Sequence, residues 1–206
     1  MAAEELTAPR LTRKGRATRS RIVAAASELM FLRGVAGTST DDVQQAAGVS
    51  TSQIYHYFRD KTALVRAVIA YQTEQILDAQ QPLLGRLDSM EALRAWRDLL
   101  VDLQRQRHCE GGCPIGSMAG ELSETCPEMR PDLVEGFGRW EAGIRDGLRA
   151  MHDRGELTAE ADPDELALAT LAALQGGLLL TQVRRETAPL EAALDTVLNH
   201  IVSLTT

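Results

Sequence analysis

Thr51, Ser52, Gln53, Tyr55, His56 and Tyr57 fall within seven consecutive positions, and Lys61 follows four residues later. Short hydroxyls and a carboxamide are groups that hydrogen-bond base edges in the major groove of duplex DNA, whereas tyrosine and lysine suit phosphate. Thr40, upstream, adds another hydroxyl. A second chemical feature is Cys113, set between Gly112 and Pro114 just before an expected helix. Unpaired amide N–H groups at a helix start lower a thiol pKa and favour the reactive thiolate. His108, Cys109, Cys113 and Cys126 lack the paired CxxC spacing of a zinc knuckle, so no metal site is expected. GxSxG, HExxH and a glycine-rich phosphate loop are absent, and His56, His108, His152 and His200 fall on different expected helices or their ends. No catalytic set and no cofactor are expected.

The first cluster needs a scaffold, and the flanking residues supply one. Thr38, Ser39 and Thr40 offer caps ahead of Asp41 and Asp42, whose charge suits a helix N-terminus, and Val43, Ala46 and Ala47 give an apolar face. A short helix is predicted over Asp41–Ala47. Gly48 provides the left-handed exit, Val49 plugs the angle, Ser50 or Thr51 caps, and a second helix follows over Thr51–Tyr57. Ile54 and Phe58, four apart, pack on one face and leave the polar face free. This is the layout of a helix-turn-helix that reads duplex DNA. A supporting helix is predicted from about Arg16 to Arg33, ended by Gly34, and a long one after Lys61 to about Gln81, stopped by Pro82.

Charge is divided in the same sense. Arg10 to Arg66 holds ten Lys or Arg against four acids, a balance of +6, so the remainder carries −13 of the chain's net −7. A basic head on an acidic body suits binding to a polyanion through counterion release.

Beyond Pro82 the chain continues as helices without strand alternation, so the fold class is all-α. Ser89 or Asp88 caps a helix with Leu93, Trp96, Leu100 and Leu103 inward. Further helices are predicted over Ser117–Glu124, Pro131–Arg154, Leu166–Arg185 and Pro189 to about Leu204. Three cysteines, no secretory segment and no apolar run of membrane length point to a cytoplasmic protein with no membrane partner. The organisation expected is a flexible basic tail over 1–15, of which Met1 to Thr12 read as mobile, a helix-turn-helix domain over 16–66 and a helical body over 67–206.

The run GTSTDDVQQAAGVSTSQIYHYFRDKTAL, preceded by RIVAAASELMFLRG, resembles the N-terminal domain of the TetR family of bacterial transcriptional regulators over about Arg19–Val68. Ser52 stands where the family often has Gly or Pro. The resemblance implies a three-helix DNA-binding domain joined to a ligand-binding and dimerisation domain. It implies that Thr40, Thr51, Ser52, Gln53, Tyr55 and His56 face the groove or nearby phosphates, with Tyr57 and Lys61 on the backbone. It also implies a homodimer on a palindromic operator in double-stranded DNA. Together with apolarity it places the interface on the last two helices, with Leu171, Leu174, Leu178, Leu194, Val197 and Ile201 as contributors; each also reads as filling the subunit's own core.

A small-molecule pocket is then expected among the middle helices, lined by Trp96, Leu100, Cys113, Met118, Leu122, Phe137, Trp140 and Gln175, although core packing explains each of these as well. GGCPIGSMAGELSE, about Gly111–Glu124, resembles the C-terminal domain of a subgroup typified by the LmrA and YxaF repressors, which implies an aromatic or drug-like effector. The function expected is a ligand-responsive DNA-binding regulator, a repressor released from its operator by that effector. The alternative is a thiol-based redox or electrophile switch at Cys113.

Overall fold

The computed structural model describes residues 11–206, which form two compact units divided between Val68 and Ile69. Most of the expected tail, residues 1–10, lies outside the described residues. The rest of it is not tail: Thr12 caps a helix, α1 (Arg13–Arg33), by accepting from the Gly15 amide. That hydroxyl starts the helix three residues earlier than Arg16.

In the first unit, α1 is followed by α2 (Thr40–Ala47) and α3 (Thr51–Tyr57). Both short helices begin with a complete capping box. The Ser39 hydroxyl accepts from the Asp42 amide while the Asp42 carboxylate accepts from the Ser39 amide, and Ser50 and Gln53 repeat the arrangement. Helices of eight and seven residues are too short to stand alone, so caps and burial must hold them. Gly48, at φ 60° and ψ 46°, supplies the left-handed exit from α2. Ile22, Ala26, Val43, Ile54, Phe58 and Leu64 form the buried centre of this unit. Polar groups fasten its turns: Arg21 Nε donates to the Ala47 carbonyl at 2.9 Å, and Lys61 Nζ donates to the Val35 carbonyl at 2.8 Å.

Helix α4 (Lys61–Asp78) crosses the division, and the second unit continues with α5 (Met90–Gln106), α6 (Pro114–Thr125), α7 (Arg130–Asp153), α8 (Pro163–Arg184) and α9 (Ala188–Ser203). Two single 3-10 turns, Leu84–Arg86 and Pro127–Met129, join them. No strand occurs among the described residues, only an isolated bridge between Leu157 and Thr205. Proline in the first turn opens α6, α7, α8 and α9, where its missing N–H has no carbonyl to meet. Helix α8 packs on α7 and α9. At Gly177 the approach is so close that a Cβ would stand 2.9 Å from Leu190 Cα. The core of this unit is centred on Trp96, Trp140, Ile144, Leu148, Leu174 and Leu194, all essentially closed to solvent.

The interface residues drawn from the sequence need correction. Leu171, Leu174, Leu178, Leu194 and Ile201 are all buried inside their own subunit, and Val197 is partly buried against the same core. A side chain already enclosed by its own chain has no surface left for a partner. The exposed apolar residues of α8 and α9 are instead Leu168, Leu179, Leu180, Val183 and Val202, with Leu179 60% and Val183 70% exposed. Helix α8 is long and apolar enough to cross a membrane, but its apolarity serves two surfaces: one buried against α7 and α9, the other open.

Candidate functional site

Around α3 the structure gathers the polar residues singled out above. Thr51, Ser52, Gln53, Tyr55 and His56 are exposed, and Tyr55 is 55% so, with its ring open to solvent and not packed in the core. Ile54 alone on this helix is fully buried. Several of the polar groups are held by neighbours before any nucleic acid arrives. Thr51 Oγ1 donates to Gln44 Oε1 at 2.5 Å, the Ser50 and Ser52 hydroxyls lie 2.9 Å apart, and Gln53 Oε1 accepts from the Ser50 amide at 2.9 Å. Gln53 therefore spends its carbonyl on capping and turns only its amide N–H groups outward.

Thr40 is the first residue of α2 and half-buried. The Tyr57 hydroxyl reaches α1, where a Cβ at Gly15 would stand 3.5 Å from it, and the His56 ring meets the Tyr57 ring edge-on at 4.9 Å. The Arg19 guanidinium sits over the Phe58 ring at 5.1 Å. Lys61 is exposed while one of its protons is fixed by Val35, so its charge is oriented rather than loose. The Ser39 hydroxyl, and after it the Ser39 amide, hold the Asp42 carboxyl below the usual carboxylate range, so the acid stays ionised at the α2 N-terminus.

The second unit contains an open pocket of about 430 Å³ between α6, α7 and α8, with the exposed Ser117, Gly120, Gly176 and Leu179 at its mouth. Its lining includes Cys113, Phe137 and Gln175 from the expected set, together with Gly116, Ser117, Ala119, Gly120, Gly176, Leu179 and Gln182. A smaller cavity of about 50 Å³ is bounded by Leu100, Gln104, Cys113, Trp140 and others. Trp96, Met118 and Leu122 line neither of the two; they are buried packing residues. The glycines and Gln104 were invisible in the sequence because nothing in their type signals a cavity wall.

Cys113 caps α6, its Sγ accepting from the Gly116 amide at 3.4 Å. The geometry is the one anticipated for a lowered pKa, but the outcome is reversed. Burial pushes the thiol up, outweighing the Gly116 amide and the Gln175 carboxamide that act the other way. Among the described residues no three His, Cys, Asp or Glu converge as a metal site.

A capped helical pair, a solvent-facing polar helix and a basic surround define a DNA-binding regulator of the helix-turn-helix class. The family profile described as "Bacterial regulatory proteins, tetR family" matches residues 22–68, and "Tetracyclin repressor-like, C-terminal domain" matches residues 89–197. The chain belongs to the TetR family and is a DNA-binding transcriptional regulator, not an enzyme. It is 28% identical to the transcriptional regulator AcuR of Cereibacter sphaeroides over 187 residues, covering 89% of this chain and 85% of AcuR. The regulator LmrA of Bacillus subtilis is 24% identical over 181 residues, 84% of this chain and 90% of LmrA. A TetR transcriptional regulator from Chloroflexus aurantiacus superposes with a TM-score of 0.81 at 29% identity, covering 94% of this chain and 98% of that one.

Proposed function

We propose that the chain is a ligand-responsive repressor: a cytoplasmic homodimer that grips a palindromic operator and is released by a small aromatic or drug-like molecule. The observation that carries this reading is the open pocket of about 430 Å³, lined mainly by apolar and glycine residues with Ser117, Gln175 and Gln182 as its polar groups and no charged side chain. Such a chamber suits a neutral, flat molecule with a few hydrogen-bonding groups.

The exposed stripe of Leu168, Leu179, Leu180 and Val183 on α8, with Val202 on α9, is the face assigned to the second copy. Two reading heads about 34 Å apart engage successive major grooves, so each chain adds to the affinity of the other. Tyr55, Gln53 and His56 face bases or adjacent phosphates, and Tyr57 and Lys61 hold the backbone. A molecule that binds better to the DNA-incompetent form shifts the population, and a coupling of about 1–3 kcal/mol weakens operator binding roughly 5- to 150-fold. Cys113 is a wall of the chamber in this reading. Its buried, protonated thiol does not favour the electrophile switch.

The test is a protection footprint on DNA flanking the protein's own gene, repeated with a panel of neutral aromatics. A two-fold symmetric footprint erased by some of them supports the reading. A footprint indifferent to every compound, yet lost on oxidation and kept in Cys113→Ser, supports the thiol switch instead.

A further inference from the structure

Hydrogen bonds made within the first unit fix what two side chains of α3 have left to offer a base. Gln53 Oε1 accepts from the Ser50 amide at 2.9 Å and lies 3.3 Å from the Ser50 hydroxyl, so the carbonyl is engaged inside the protein. A backbone amide only donates, so turning the carboxamide over would set two donors against each other. The free end of the exposed Gln53 is therefore its Nε2 group, whose protons no atom among the described residues accepts. Thr51 carries the opposite limit. Its hydroxyl proton goes to Gln44 Oε1 on α2 at 2.5 Å, which leaves oxygen lone pairs and a methyl group for anything outside.

A glutamine without such ties presents an acceptor and a donor together and pairs with adenine through N6 and N7. Gln53 cannot make that pair, because its acceptor is turned to the helix cap. Its donors require acceptors, and guanine alone sets two of them, O6 and N7, side by side on the major-groove edge. Thr51, as an acceptor, requires an exocyclic amine, which adenine carries at N6 and cytosine at N4.

We propose that hydrogen-bond polarity set inside the helix pair makes Gln53 a reader of guanine and Thr51 a reader of the amine of adenine or cytosine, with Gln44 the positioning residue that holds Thr51 to that role. This assignment rests on the operator-gripping reading above and specifies its chemistry. Each half-site carries a guanine met by Gln53 and an adenine or cytosine met by Thr51. Gln44 touches no base in this arrangement, yet decides what Thr51 can recognise.

The full-length protein selects duplexes from a random library, and the enriched half-site is then made with base analogues for fluorescence anisotropy. 7-Deazaguanine removes the N7 acceptor; inosine, which keeps O6 and N7 and loses only a minor-groove amine, is the control. The wild type enriches a guanine in each half-site whose 7-deaza form binds about tenfold more weakly, while inosine at that position leaves affinity unchanged. In Gln53→Ala the 7-deaza penalty disappears. Gln53→Glu keeps the cap but offers only acceptors, so selection with it returns cytosine at the same position. The Thr51 position is the one whose preference Thr51→Val abolishes. Gln44→Leu releases the Thr51 proton, so guanine and thymine join adenine and cytosine there while the Gln53 guanine stays fixed; a merely structural Gln44 would weaken all sites alike. Thermal melts check that each variant is folded. A 7-deaza penalty that survives in Gln53→Ala overturns the assignment, as does an adenine whose exchange for unsubstituted purine is costly in the wild type and harmless in Gln53→Ala. A symmetric site that shows neither coupling refutes the assignment and leaves operator binding standing. Failure of the wild type to enrich any duplex refutes operator binding, and the assignment falls with it.

Discussion

The Trp96 indole donates to the side-chain carbonyl of Gln80 at 2.8 Å, and neither residue is exposed by more than 1%. The same oxygen accepts the Trp140 indole at 3.0 Å, so one carbonyl satisfies both tryptophans of the chain. Gln80 Nε2 in turn donates to the Ile76 carbonyl at 2.8 Å, which fixes the carboxamide. Gln80→Leu leaves two buried N–H groups unmet at about 1–3 kcal/mol each. Urea unfolding is expected to show a loss of about 2–4 kcal/mol with both indole emissions altered. A loss below about 0.5 kcal/mol would show that water replaces the glutamine.

Gln53 caps α3, and the proposed reading gives it a second duty at the bases; a pair of substitutions separates the two. Gln53→Glu keeps an oxygen acceptor for the Ser50 amide, so the helix cap survives and stability is unchanged, but a negative charge enters the polar face of α3. Operator affinity is expected to fall more than tenfold. Gln53→Ala loses the cap as well, about 1 kcal/mol of stability, and changes preference among sites more than total affinity. Equal losses of Gln53→Ala on cognate and scrambled duplex contradict a base-reading role.

Lys61→Ala acts on a different term. With Lys61 on phosphate, as proposed, its removal is expected to reduce affinity for every sequence alike and to lower the slope of log K against log salt by about 0.9. It also removes the Lys61 donor from the Val35 carbonyl, which keeps the Thr38 amide at 3.3 Å, so a small loss of stability accompanies it. An unchanged salt slope, read by fluorescence anisotropy, would assign Lys61 to holding the turn alone.

Helix α7 contains a contrast between two glycines. At Gly147 a Cβ would stand 2.3 Å from the Leu87 carbonyl oxygen, a backbone atom that cannot move aside, so Gly147→Ala is expected to cost several kcal/mol or prevent folding. Gly138 is exposed and a Cβ there meets nothing within 4 Å, so Gly138→Ala is expected to stabilise by about 0.5–1 kcal/mol. Thermal melts of the two variants check both signs.

The Cys113 thiol fixes a pH dependence. Its pKa in the folded chain is raised, so the native state holds its proton where the unfolded state releases it. The contribution is present below the unfolded thiol pKa, about 8.5, and is lost as pH rises beyond it. Stability therefore declines between neutral pH and about pH 10 more steeply in the wild type than in Cys113→Ser, which keeps a side-chain oxygen at the cap. Parallel declines in guanidinium titrations at both pH values would show that the thiol is not desolvated.

How much of this was legible beforehand depends on whether a feature is local. The α2–turn–α3 unit is written in adjacent residues: Ser39 and Ser50 cap, Gly48 exits, and Ile54 and Phe58 pack. The start of α6 was read too late, at Ser117, because CPIG looks like a break, whereas Cys113 caps and Pro114 sits in the first turn where proline is favoured. The burial of the residues named for the interface has a physical reason. Helix α8 is apolar on more than one face, so periodicity selects the Leu171, Leu174 and Leu178 register that its own core requires and passes over the exposed Leu179 and Val183. The Cys113 shift was misread because a helix start is visible in sequence while the depth of burial is not. Gln80 and Gln104 carried no signal at all, since a carboxamide declares its role only through its neighbours.

The central claim is that two chains present α3 to adjacent grooves of one DNA site, and titration of a labelled palindromic duplex from the flanking region tests it directly. Light scattering of the complex read together with anisotropy across a salt series gives stoichiometry and slope in one experiment. The account predicts two chains per symmetric site, or a pair of such dimers, with affinity falling by orders of magnitude from low to moderate salt. A monomer that fails to bind any duplex at low ionic strength contradicts it.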